Sequence, residues 1–120
     1  AKGATALAQA LIQCPLLTSL ALRDNSIGCR GTEQLCEGLQ LCSCLTALDL
    51  RLNSMQNDGV KAISNVGGRI SRLTALDLSG NGISNEGVRA LSVAILLGQF
   101  RSLRRLCLNG NAIADGGVVA

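Results

Sequence analysis

Aromatic side chains are almost missing from this chain: Phe100 stands alone, with no Trp or Tyr among 120 residues. A core without rings has to be built from aliphatic side chains, and a regular, repeating packing favours a repetitive architecture over an irregular globular one. Histidine is absent, which removes the usual general base at neutral pH. Serines are scattered without a G-x-S-x-G elbow, and no G-x-x-x-x-G-K-S/T phosphate loop occurs. The reading is of a non-enzyme without cofactor or small-molecule substrate, or of the regulatory part of an enzyme whose catalytic domain lies elsewhere. No apolar run reaches the roughly 18 residues that a membrane-spanning helix needs, so no membrane span is expected. Charge is mild, with 11 basic against 8 acidic residues and a formal net charge of +3, which does not by itself argue for nucleic acid or an anionic membrane. The start at Ala1 shows no Met, signal-peptide pattern or twin arginine.

What the chain has in quantity is leucine, asparagine and glycine at a fixed interval. LTSLALRDNSI from Leu17, LTALDLRLNSM from Leu45, LTALDLSGNGI from Leu73 and LRRLCLNGNAI from Leu103 all fit LxxLxLxxNx followed by an apolar residue. Asn25, Asn53, Asn81 and Asn111 mark the same place in each unit, at spacings of 28, 28 and 30 residues. Gly31, Gly59, Gly87 and Gly117 each follow an asparagine by six residues, and Leu7, Leu35, Ile63 and Leu91 fall 28 apart. Ala1 to Leu16 reads as the helical half of an earlier unit, and the chain is expected to stop inside a unit soon after Val118 and Val119. The expected organisation is a single domain fragment over residues 1–120, about four units of 28–30 residues truncated at both ends. A solenoid cut in this way would be marginally soluble or would associate end to end.

Each unit changes period half-way. In the first half the paired leucines, such as Leu48 with Leu50 and Leu76 with Leu78, point one way and the residues between them the other, as in a short strand. In the second half Thr32, Leu35, Leu39 and Cys42 share one face of a helix; Val60, Ile63 and Ile70, and then Val88, Leu91 and Ile95, fill the same slots. Helices are expected to open near Gly31, Gly59 and Gly87, where Asp58 and Glu86 meet the positive end of the helix dipole. Stacked parallel strands are about 4.8 Å apart whereas packed helices need about 8–10 Å, so a pile of such units must bend with its strands inside. The fold class is α/β, a solenoid with short parallel strands on the concave face and helices on the convex face. The helix-to-strand return is longer by two residues in the third unit, within LLGQFRS from Leu96 to Ser102. A local bulge with Phe100 partly covered is expected there.

These units resemble the leucine-rich-repeat family, in its long-unit, ribonuclease-inhibitor-like subtype, over nearly the whole chain. Extracellular short-unit subtypes usually carry a Pro-rich return segment, whereas Pro15 is the one proline here. The resemblance implies a fold far more than a function.

Candidate chemistry follows from the slots. Cys14 and Cys42 share the place that Ile70 fills one unit later, so they read as small hydrophobes. Cys42-Ser43-Cys44 lacks the second pair or the histidines that zinc needs, so no metal is expected. Six reduced thiols imply a cytoplasmic or other reducing intracellular compartment. The asparagines are expected to form a structural ladder that serves backbone groups left without strand partners. Asp49 and Asp77 occupy equivalent outward slots beside Arg23 and Arg51, and read as an exposed mixed-charge patch. Parity places Arg23, Asp49, Arg51, Asp77, Ser79, Arg105 and Asn109 on the concave face, the candidate partner-binding surface. Arg69, Arg72, Arg101, Arg104 and Arg105 are expected along one rim, open to an acidic protein; without aromatic stacking residues a nucleic-acid role is disfavoured.

The expected function is a protein–protein interaction scaffold within a larger intracellular protein or assembly, with partners on the concave face or the basic rim. The alternative is a regulatory module, similar to the repeats of small-GTPase activators or of nucleotide-binding innate-immune receptors. An inhibitor similar to ribonuclease inhibitor ranks last, because the long array and aromatic contacts of that family are not visible here.

Overall fold

The computed structural model describes residues 2–113. Each paired-leucine segment forms a three-residue strand: β1 (Ser19–Ala21), β2 (Ala47–Asp49), β3 (Ala75–Asp77) and β4 (Arg105–Cys107). Helix α1 (Lys2–Ile12) precedes β1, and α2 (Gly28–Leu39), α3 (Gln56–Asn65) and α4 (Asn85–Leu96) connect successive strands. The strands are parallel, lie in sequence order, and keep Leu20, Leu48, Leu76 and Leu106 in one register row. Parallel neighbours need a crossover; the helices supply it and pack each on the next. The result is a repeat solenoid with one layer of strands and one of helices.

The core lies between these layers. Leu48, Leu50, Leu76 and Leu78 are at most 2% exposed, and each such side chain contributes about 1.5–3 kcal/mol on full burial. Their counterparts Leu20, Leu22, Leu106 and Leu108 are only partly buried, because a described coil covers them on one side alone. Thr32, Leu35, Leu39, Cys42, Val60, Ile63, Ile70, Val88 and Leu91 are all buried, as the helical spacing requires. Cys14, by contrast, is exposed although its repeat partner Cys42 is sealed.

Several expectations need correction. The helices begin at Gly28, Gln56 and Asn85, two or three residues before the glycines. Gly59 and Gly87 therefore sit in the first turn, where a Cβ would lie 2.7 Å from the Met55 side chain or 2.5 Å from Asn57 Oδ1. Close packing, not helix initiation, explains these two glycines. Ile95 is 40% exposed, and Ala94 is buried instead. Phe100 is 3% exposed rather than partly covered. It accepts a bond from Leu103 N, as Cys42 does from Leu45 N and Ile70 from Leu73 N. Phe100 thus takes the Cys42/Ile70 slot, with φ at +51° and its ring against Gly67. The longer return swings the largest side chain of the chain inward. Gly117, Val118 and Val119 lie outside the described residues.

Candidate protein-binding face

The outward residues of the strands form a grid. Ser19, Ala47, Ala75 and Arg105 make one row, and Ala21, Asp49, Asp77 and Cys107 the next. The register continues past the strand ends, where Leu22 N donates to Asp49 O, Asp24 N to Arg51 O, Leu52 N to Ser79 O and Gly80 N to Asn109 O. Arg23, Arg51, Ser79 and Asn109 therefore make the third row. An open depression of about 370 Å³ lies over the first two rows, with Ala47 and Ala75 in its floor and Asp49, Asp77, Arg51 and Arg105 around it.

Arg51 organises the charge. Its Nε and Nη2 donate to Asp49 at 2.9 and 2.7 Å, and Nε lies 3.4 Å from Asp77 Oδ2. The Arg51 hydrogen bond holds the Asp49 carboxyl below its ordinary range, against a smaller opposing effect of burial. Both carboxylates also accept the backbone N–H two residues on, from Arg51 at 3.1 Å and Ser79 at 3.0 Å. With two bases of negative charge held by one guanidinium, this is a paired surface patch rather than a proton-transfer pair. Arg105 is exposed at the opposite edge of the depression.

Behind the grid, Asn53, Asn81 and Asn111 face inward. Asn53 Nδ2 donates to Leu22 O in the preceding coil and to Leu50 O and Arg51 O in its own, at 2.9–3.1 Å. Its Oδ1 accepts Asn25 N at 2.9 Å. Asn81 repeats this pattern toward Leu50 O and Asn53 N, and Asn111 toward Leu78 O and Asn81 N. Asn25 bonds only Leu22 O and Arg23 O through Nδ2 and is exposed. The left-handed residues before them, Asp24, Leu52, Gly80 and Gly110, turn the chain out of the strand.

Two polar features had gone unseen in the sequence. Thr46 Oγ1 donates to Thr18 O and Thr74 Oγ1 to Thr46 O, each at 3.0 Å, so a threonine row precedes the strands. Asn57 Oδ1 accepts Ser84 N and Gly87 N at 3.0 and 2.9 Å, and thereby caps α4 from the preceding coil. The repeated LT could have signalled the first. Asn57 recurs as Asn85 one unit later, although not at Cys29 one unit earlier, so the repeated Asn-acidic-Gly could have signalled the second.

The other arginines separate. Arg69, Arg72, Arg101 and Arg104 are exposed around the returns, and Arg72 Nη1 approaches Cys44 Sγ at 3.9 Å. Arg105 belongs to β4 and lines the depression instead. All six cysteines are free. Burial pushes the Cys36 thiol up to about 12, with a smaller push from Glu33, and raises Cys42 as well. Among the described residues no group of His, Cys, Asp or Glu is arranged to hold a metal ion, and no helix is long and apolar enough to cross a membrane.

A family model described as Leucine Rich repeat matches residues 13–36, 41–64, 72–92 and 101–120. The chain belongs to the leucine-rich-repeat family. The repeat matches span all four strands and most of α2, α3 and α4, and the fold is of a binding type. Leucine-rich repeats generally serve protein–protein interaction. A solved structure titled "Leiomodin-1 Actin-Binding Site 2 (ABS2)" superposes on this repeat chain with a TM-score of 0.79 at 17% identity. The match covers 96% of this chain and 66% of the leiomodin-1 chain. At that identity the likeness is one of fold. No curated protein matches the sequence.

Proposed function

We propose that this leucine-rich-repeat chain is a protein-interaction scaffold that receives its partner on the strand face. The observation that carries the reading is the grid itself: Ala47 and Ala75 leave room beside Asp49, Asp77, Arg51 and Arg105, over an open depression. A partner backbone can approach the alanines while charged side chains beside them select its sequence and steer encounter. Arg23, Ser79 and Asn109 extend the contact along the third row. The rigid ladder behind the grid keeps these positions fixed before binding, which lowers the ordering cost.

The units are of the long, ribonuclease-inhibitor-like type; α2, α3 and α4 support this, because every described return contains an α-helix of 10–12 residues. The chain works as one repeat domain within a larger intracellular protein or assembly. Six free cysteines, two of them sealed in the core, suit a reducing compartment. A photo-crosslinking residue at Ala75, with a control at Glu33 on α2, tests the contact surface in native extract. A discrete protein adduct at Ala75 and none at Glu33 is expected. Equal labelling, or none at Ala75, overturns the strand-face reading.

A further inference from the structure

We propose that a second docking site lies on the helical side, in the groove between α3 and α4, and that it takes an acidic amphipathic helix of a protein partner. Three large aliphatic side chains of the third unit stand in solvent: Val93 at 49%, Leu96 at 84% and Leu97 at 76% exposure. The fold does not require them. The slot of Val93 holds Glu37 and Asn65 in earlier units, that of Leu96 holds Gln40 and Gly68, and that of Leu97 holds Leu41 and Arg69. Polar or small residues thus satisfy the same architecture at most of these places.

Val93 and Leu97 stand one helical turn apart and form one wall of a recess of about 460 Å³. Ala90 and Ala94 floor it, and Lys61 and Asn65 of α3 form the facing wall. Both walls are described, so the recess does not arise from an end of the solenoid. Ile95 is different: its counterparts Leu39 and Gly67 are buried, so its slot is one that a further coil covers, and it takes no part here.

The surroundings are basic. No acidic residue occurs from Gly87 to Leu108. Arg89 is exposed four residues before Val93 on α4. The two returns meet at the end of the groove, where Phe100 N donates to Gly67 O at 3.2 Å and Gly68 packs on Gln99; Arg69 and Arg101 follow them in the chain. Among the described residues Arg69 and Arg101 form no salt bridge, whereas Glu86 neutralises Lys61 at 2.6 Å and also attracts Arg89. Apolar anchors beside uncompensated positive charge complement a helix that presents aliphatic residues at i and i+4 with Asp or Glu alongside. A bilayer is the poorer fit, because Val93 and Leu97 line a recess faced by Lys61 and Asn65 of α3, with the amides of Asn65 and Gln99 at its edge, and the hydrocarbon that apolar side chains enter offers such amides no hydrogen-bond partner.

The test is a displayed library of random peptides panned against the full chain, with affinities of synthesised winners read by fluorescence anisotropy. Enriched peptides should pair aliphatic residues at helical spacing with acidic flanks. Their affinity should fall by about tenfold or more for Val93→Gln/Leu97→Gln and for Arg69→Glu/Arg101→Glu. Thermal midpoints of both variants should stay near that of the parent, since all four positions are exposed. Absence of enrichment, or peptides indifferent to both variants, overturns the proposal. So does sedimentation with phosphatidylserine vesicles that Val93→Gln/Leu97→Gln abolishes, which would assign the patch to a lipid surface.

Discussion

Asn53 shows how much one side chain carries. It is fully buried, and its amide serves backbone groups of its own and the preceding coil. Replacing it by alanine leaves Leu22 O, Leu50 O and Asn25 N without that partner, at about 1–3 kcal/mol for each group that water cannot reach. Asn53→Ala should therefore lose about 3 kcal/mol or more in urea denaturation, while Asn25→Ala, exposed at the first coil, should lose less than about 1 kcal/mol. Near-equal losses would mean the amides act independently of burial. Asp49 makes a second residue-scale prediction. Its carboxyl is held low by Arg51, so the folded state binds its proton less readily than the unfolded chain. That contribution is complete above the ordinary carboxylate range and fades as pH falls from about 4 through the lowered folded value. Asp49→Asn should flatten the acid limb of a stability–pH curve below about pH 4; an unchanged limb would contradict the pairing. The effect is small, because the pair faces water.

At the scale of an element, α4 is held at its start by its neighbour. Asn57, in the first turn of α3, accepts Ser84 N and Gly87 N, and a Cβ on Gly87 would lie 2.5 Å from that same Oδ1 and 2.7 Å from Ile83 Cγ2. Alanine is favoured over glycine in a helix by up to about 1 kcal/mol, but the overlap costs about 1–3 kcal/mol and the displaced cap about 1 kcal/mol more. Gly87→Ala should thus destabilise by about 1–3 kcal/mol on thermal or urea unfolding, despite its better propensity. A stabilised variant would show that the Asn57 contact is dispensable. These contacts also mark where sequence reasoning stops. Strand and helix identity were legible because the leucine spacing changes period within every unit. The helix starts and the exposure of Ile95 were not, since they depend on where the neighbouring coil presses. Phe100 was misread for a related reason: its slot is shared with Cys42 and Ile70 only when counted back from Leu103. Counted forward from α4, the longer return hides it. The grid positions followed from strand parity, whereas the double engagement of Arg51 depended on a side-chain direction that parity does not give.

At the scale of the whole molecule, among the described residues each helix backbone packs on that of the next helix and each strand pairs with the next: α1 meets α2, α2 meets α3, α3 meets α4, and β1 to β4 follow in order. Such a chain is nearly one-dimensional, and its stability is a sum of coils and of the interfaces between them. A cavity in a middle coil weakens two interfaces, and one at an outer coil weakens fewer. Leu76 is 1% exposed between β2 and β4, while Leu106 is only partly buried. Leu76→Ala should cost about 3–5 kcal/mol, and Leu106→Ala about 1–2 kcal/mol. The middle deletion should do something more: by uncoupling the coils on its two sides, it should lower the denaturant m-value and separate the transitions seen by probes at either end. A core whose one aromatic ring, Phe100, sits in the return before β4 depends on this coupling, because no single large side chain in the middle coils can replace the neighbour's contribution. If both variants lost the same stability with an unchanged m-value, the repeats would have to be coupled over longer range than the nearest-neighbour contacts provide.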